Sequence, residues 1–201
     1  IDLRGVKANT GNLIEGMEIK GTLGKLYAKA DRIDLGKEIA RLNKIDLSDT
    51  AITLLMNDTT TNKDTTSTAV NWKLMLDQID LDRVAFAMQM PGDSLRLSTY
   101  IDKAGLTDGI VDLGSARYSA SQFLLSGSSL SYDGSYSDPA PGFDPAHIAL
   151  NDVNIRIDSL LYGGRDISAR IKKFSANDRS GLTLSSLTGD ISSDSTTIQV
   201  P

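Results

Sequence analysis

Few residues in this sequence have the chemistry of an active site. Asp77, Asp80 and Asp82 fall close enough together to suggest the carboxylate pair that cleaves glycosidic bonds. Asp80 and Asp82, however, alternate with Ile79 and Leu81. On a half-buried strand that alternation sends both acids to the solvent face, with Arg83 beside them as counter-charge. The single histidine, His147, would have to serve any Ser-His-Asp triad, and it follows Pro145 in a Pro-rich turn region where a packing role is expected. Cysteine is absent, which removes thiol nucleophiles, disulfides and Cys-ligated zinc. Gly163-Gly164-Arg165 reads as a turn, because neither a GxGxxG nor a Walker pattern opening a helix is present. Asp58 and Asp64 lack the alternating acidic pattern, central Gly and terminal Glu of an EF-hand loop, and Asn57-Asp58-Thr59 fits a glycosylation acceptor by pattern alone. No catalytic residue, metal ligand or cofactor site is assigned, and the chain is read as non-enzymatic.

Composition narrows the partners. A net charge of -5 over 201 residues lacks the basic footprint of a nucleic-acid binder and disfavours anionic lipid surfaces. Aromatic residues make up only 5% of the chain, with Trp72 the sole tryptophan, too few for the stacking platforms of a glycan-binding module. The chain starts at Ile1, with no signal peptide and no apolar run of membrane-spanning length, so it is expected to be a segment of a larger protein.

The elements that would position any site are strands. An apolar-Asp-Leu phrase recurs at Ile1-Asp2-Leu3, Ile33-Asp34-Leu35, Ile45-Asp46-Leu47, Ile79-Asp80-Leu81 and Val111-Asp112-Leu113, and three of the intervals are 32 to 34 residues long. Self-similarity at that period predicts a stacked or solenoid-like array. The cleanest alternation runs through Trp72, Leu74 and Leu76, then Ile79 and Leu81, then Val84, Phe86, Met88 and Met90, then Leu95 and Leu97. Its parity changes across Asp77-Gln78 and again by Val84, which predicts a bulge or corner at each break. Pro91-Gly92-Asp93 closes a hairpin, and Lys37–Leu42, though helix-forming in composition, is long enough only for a connector. About fourteen to sixteen short strands are expected, with almost no helix. Residues 1–137 form a first group of β-repeats carrying a polar loop at 57–68. Residues 138–147 form a Pro-rich connector, and 148–201 a second group that continues the same sheet.

What remains is a long apolar face of Leu, Ile, Val, Met and Phe. By pattern alone it either closes against a second sheet or stays open around a groove. An open groove has a definite energetic use. Each CH₂ kept from water is worth about 0.8 kcal/mol, so a 16-carbon acyl chain exposed to water costs on the order of 12 kcal/mol, most of which an apolar trough would offset.

The C-terminal third adds a resemblance. Val153-Asn154-Ile155-Arg156-Ile157-Asp158-Ser159-Leu160, Asp166-Ile167-Ser168-Ala169-Arg170-Ile171 and Ser180-Gly181-Leu182-Thr183-Leu184-Ser185-Ser186-Leu187-Thr188-Gly189 are similar to repeats of the TamB branch of the AsmA-like proteins, Bacteroidetes type. The earlier Ile-Asp-Leu phrases and the Trp72–Leu97 stretch are similar in style. The resemblance implies an elongated periplasmic protein anchored in the inner membrane, with an antiparallel β-sheet folded lengthwise into an apolar trough, the β-taco. Phospholipid movement between membranes and assembly of outer-membrane barrels are the implied roles, the latter through an outer-membrane partner contacted by parts outside this segment. The groove lining is expected to be Leu74, Leu76, Ile79, Leu81, Val84, Phe86, Met88, Leu95, Leu97, Val153, Ile155, Ile157, Ile167 and Ile171. Competing readings are a strand scaffold that templates an incoming barrel protein and a secreted β-solenoid adhesin or glycan-binding module. Unpaired outer strands would also let the isolated segment associate edge to edge.

Overall fold

The computed structural model describes residues 1–11, 16–56, 71–163, 166–193 and 198–199. The polar stretch 57–68, the Asn57-Asp58-Thr59 acceptor, Asp58, Asp64 and Gly164-Arg165 lie outside the described residues. The strands are β1 (Asp2–Asn9), β2 (Met17–Asp34), β3 (Ile39–Met56), β4 (Lys73–Met90), β5 (Leu95–Asp112), β6 (Arg117–Asp133), β7 (His147–Gly163), β8 (Asp166–Asp178), β9 (Thr183–Ser193) and β10 (Ile198–Gln199). They form one sheet in sequence order, β1 to β10. The fold is all-β, and its only described helical turn is the 3-10 turn Pro91–Asp93 in the β4–β5 hairpin.

Three expectations need correction. The sheet is not wholly antiparallel: β3 and β4 run parallel. A parallel pair needs a long return connection, and the chain between Met56 and Lys73 supplies one. The recurring phrase is stacked at only one of its intervals. Ile45-Asp46-Leu47 and Ile79-Asp80-Leu81 lie side by side in this parallel pair, so their 34-residue interval is a register offset. Ile33-Asp34-Leu35 and Val111-Asp112-Leu113 instead enter hairpin turns, where Asp34 accepts the Lys37 N–H at 3.1 Å and Asp112 the Ser115 N–H at 3.0 Å. Finally, the described residues form ten strands where more were expected, because β2 to β7 run 17 or 18 residues each.

The strands are long because they bend without breaking. Gly5, Asp49, Arg83, Gly127 and Asp152 all have left-handed backbone, with φ from 52° to 62°, and the pairings bring them into one line across the sheet. A second line passes through Asp77, Asp108 (φ 50°) and Ser159 (φ 62°). A left-handed residue turns a strand and shifts its side-chain parity, which is why the alternation breaks at Arg83; the break at 77–78 falls on the second line, opposite left-handed Asp108 of β5. At Gly24 the neighbouring bend comes so close that an added Cβ would sit 2.6 Å from the Asp49 Cβ and carbonyl oxygen.

Candidate apolar groove

The register turns the alternating residues into ladders. Between the two bend lines, one row carries Ala28, Ile45, Ile79, Leu106, Phe123, Ile157 and Ile171, and the next carries Leu3, Leu26, Leu47, Leu81, Ala104, Leu125, Ile155, Phe174 and Leu187. Beside the first bend line runs a row with Thr50, Val84, Ser128, Val153 and Ala176, all 7% exposed or less. Beside the second, Leu76 and Ala120 are buried in the same way. Burial along these two lines, with half-exposed rows between and beyond them, places the inside corners of a trough there. Its walls carry Ile52, Phe86, Thr99, Leu130 and Leu150 on one side and Ala40, Leu74, Val111, Tyr118, Tyr162 and Ile167 on the other.

All fourteen expected groove residues fall on this apolar face. Ile79, Leu81, Ile155, Ile157 and Ile171 are on the floor, Leu76, Val84 and Val153 at the corners, and Phe86, Met88, Leu95, Leu97, Leu74 and Ile167 on the walls. Ile167 stands at the rim, 41% exposed. The sequence reading missed Leu26, Leu106, Phe123 and Phe174, which declare themselves only through their cross-strand partners. It also missed Thr50 and Ser128. Each follows a left-handed residue and donates its hydroxyl, at 3.0 Å, to the carbonyl two residues back, Ser48 and Ser126 respectively, giving the carbonyl at the bend a partner inside the apolar corner.

Among the described residues no second layer covers the face. Among the described residues only Ala40, Leu76, Val84, Ala120, Val153 and Ala176 form a buried apolar core. A sheet normally hides its apolar face against another element. This one leaves the face open to solvent, which decides between trough and closed sandwich. At the β1–β3 end the apolar face holds a cavity of about 210 Å³ lined by Val6, Ala8, Ile19, Leu23, Thr50 and Ile52. A larger hollow of about 300 Å³ is a furrow on the opposite face, where outward rows of Ala85, Ala87, Ser98, Ser129 and Ser131 are too small to fill the surface.

That opposite face is charged. Arg83 bridges Asp49 through Nε and Nη2, at 2.7 and 3.0 Å, and reaches Asp82 at 2.6 Å. Lys44 pairs with Asp46 at 3.3 Å and Asp80 at 3.7 Å. Asp77 accepts from Asn43 at 2.9 Å and faces Arg41 at 3.3 Å, so its carboxyl is held below the usual range, the opposite of what a proton donor needs.

His147 presents the other constellation of interest. It is 4% exposed, with Nδ1 2.9 Å from Asp133 Oδ1 and Nε2 3.4 Å from Ser137 Oγ. The order of groups is that of a triad, but Ser137 Oγ is also 2.9 Å from Ser135 Oγ. The nearby N–H groups of Gly134, Ser137, Ala146 and His147 are all donated to acceptors within the 134–146 loop, so none of them is left for an oxyanion. The geometry is that of a clasp fastening the loop to the sheet. Among the described residues no cluster of three His, Cys, Asp or Glu could hold a metal ion, and no helix is long and apolar enough to cross a membrane.

Fold and site together define an open, single-layer β-trough, apolar within and charged without. No protein-family model matches the chain, and no curated protein matches it.

Proposed function

We propose that this chain is a periplasmic segment of a TamB-like intermembrane protein whose trough holds phospholipid acyl chains, in a full-length protein anchored to the inner membrane. The observation that supports this reading is the apolar face, continuous across successive strands and uncovered among the described residues. Such a face lowers the cost of removing an acyl chain from a bilayer without binding it tightly at any one point, as a conduit requires. The ladders run across the strands, from edge to edge of the sheet, so an acyl chain laid along them meets apolar side chains throughout.

The test is native mass spectrometry of the protein purified from cells, followed by lipid extraction. Phospholipid is expected to co-purify with the wild type and to be lost from Ile155→Asp and Phe86→Asp, which put a charge on the floor and on a wall. A folded wild type that carries no lipid and takes up no fluorescent acyl probe would overturn the proposal.

A further inference from the structure

The two edges of the sheet are stepped, and the steps match. β1 pairs with β2 only from Asp2 to Asn9, which leaves Lys29–Asp34 of β2 without a partner on that side among the described residues. At the far edge, β10 pairs with Ser192 and Ser193, and among the described residues nothing pairs with the outer side of β9 from Thr183 to Ile191. We propose that, for this 201-residue segment by itself, a second copy docks here head to tail. Its β1 lies antiparallel on the open part of β9, while β10 fills the step beside its β2.

Strand direction, bend position and side-chain parity agree on one register. Counted across the sheet, β1 and β9 run in opposite directions, so their pairing is antiparallel like most others here. On β9 the apolar-face residues are Leu184, Leu187 and Gly189, opposite Ala176, Phe174 and Ile171, with the bend between Leu184 and Leu187. On β1 they are Val6, Leu3 and Ile1, with the bend at Gly5. Setting Leu3 against Leu187 places Val6 against Leu184 and Ile1 against Gly189, and both bends coincide. Ile1, Leu3 and Val6 are 79%, 43% and 42% exposed and Leu187 42%, so the joint would cover apolar surface at both edges. A symmetric β1–β1 contact fails. Aligning the two Gly5 bends puts Leu3 opposite Lys7, and aligning the apolar rows displaces the bends. The head-to-tail contact is heterologous, so it extends the trough and does not close on itself.

Ile1 exchanges both backbone hydrogen bonds with Ala28, so by antiparallel alternation the N–H groups of Asp2 and Arg4 point to the free side. Arg4→Pro therefore removes a docking donor while sparing the β1–β2 ladder, and Arg4→Ala keeps that donor. Native mass spectrometry and light scattering of the wild type should show a concentration-dependent series of multiples of 21.6 kDa. Arg4→Pro should weaken association by about tenfold or more, and Arg4→Ala should leave it in place. The chain has no cysteine, so Leu3→Cys mixed with Leu187→Cys should give a disulfide-linked dimer, and Leu3→Cys alone should not. A wild type that stays monomeric at high concentration, or self-linking by Leu3→Cys without the mixed product, would overturn the proposal. If Arg4→Pro does not fold, the cysteine pair decides. None of these readouts depends on bound lipid.

Discussion

At the scale of single residues, the informative positions are those that let a strand bend. Asp49 and Arg83 occupy adjacent left-handed positions and bind each other on the charged face, so one ion pair ties two bends together. The Arg83 guanidinium holds the Asp49 carboxyl below the usual carboxylate range. A group whose pKa is lowered on folding contributes stability above its unfolded pKa and loses it as pH falls through the folded value. Urea midpoints should therefore fall with acidification in the range below about pH 4, and Asp49→Asn, whose side chain tolerates the left-handed backbone, should show a shallower fall. An equal slope in the two proteins would mean the pair contributes nothing to stability. The parity change around Arg83 was visible in the sequence, but its partner was not, since Asp49 lies 34 residues away and meets Arg83 only through the parallel register.

At the scale of elements, the strand is a three-part unit of wall, floor and wall, joined by two bends. The six long strands β2 to β7 were read as more numerous short ones because a left-handed residue resets the alternation just as a turn would, and only backbone pairing shows that the ladder continues past it. Gly127 makes this testable. Its φ is 58°, and an added Cβ would sit 3.4 Å from Asp102 Oδ2. Gly127→Val should cost about 1–2 kcal/mol or more, through backbone strain. Gly105→Ala, at ordinary φ with Asp80 Oδ1 3.8 Å away, should change stability by about 0.5 kcal/mol or less. Equal costs at the two sites, measured by urea unfolding, would remove the bend as the explanation.

For the whole molecule, the consequence is a sheet that, among the described residues, has no partner layer. The accessible surface is 12863 Å², whereas a compact monomer of 21.6 kDa would expose about 9,200 Å² and have a radius of gyration of about 16.5 Å. Small-angle scattering of the monomer, at dilutions where association is suppressed, should give a distinctly larger radius. A value at the compact limit would mean the apolar face is covered in solution. The same lack of a layer explains why the groove could be drawn from sequence, while its openness could not. Leu74, Ile79 and Phe86 betray a shared face by alternation within one strand, but what faces them across space leaves no mark on local pattern.

The sequence by itself determined that the chain is strand-built and two-faced, and which residues of β4, β5, β7 and β8 share the apolar side. Side-chain period is a local property of extended backbone, and these residues keep it between their bends. Tertiary structure alone decided the parallel β3–β4 pairing, the alignment of left-handed residues into two bend lines, the gathering of Asp133, Ser137 and His147, and the openness of the trough. Each of these depends on which distant segments pair and in what register, a choice made by the summed fit of whole strands that no short stretch of sequence carries.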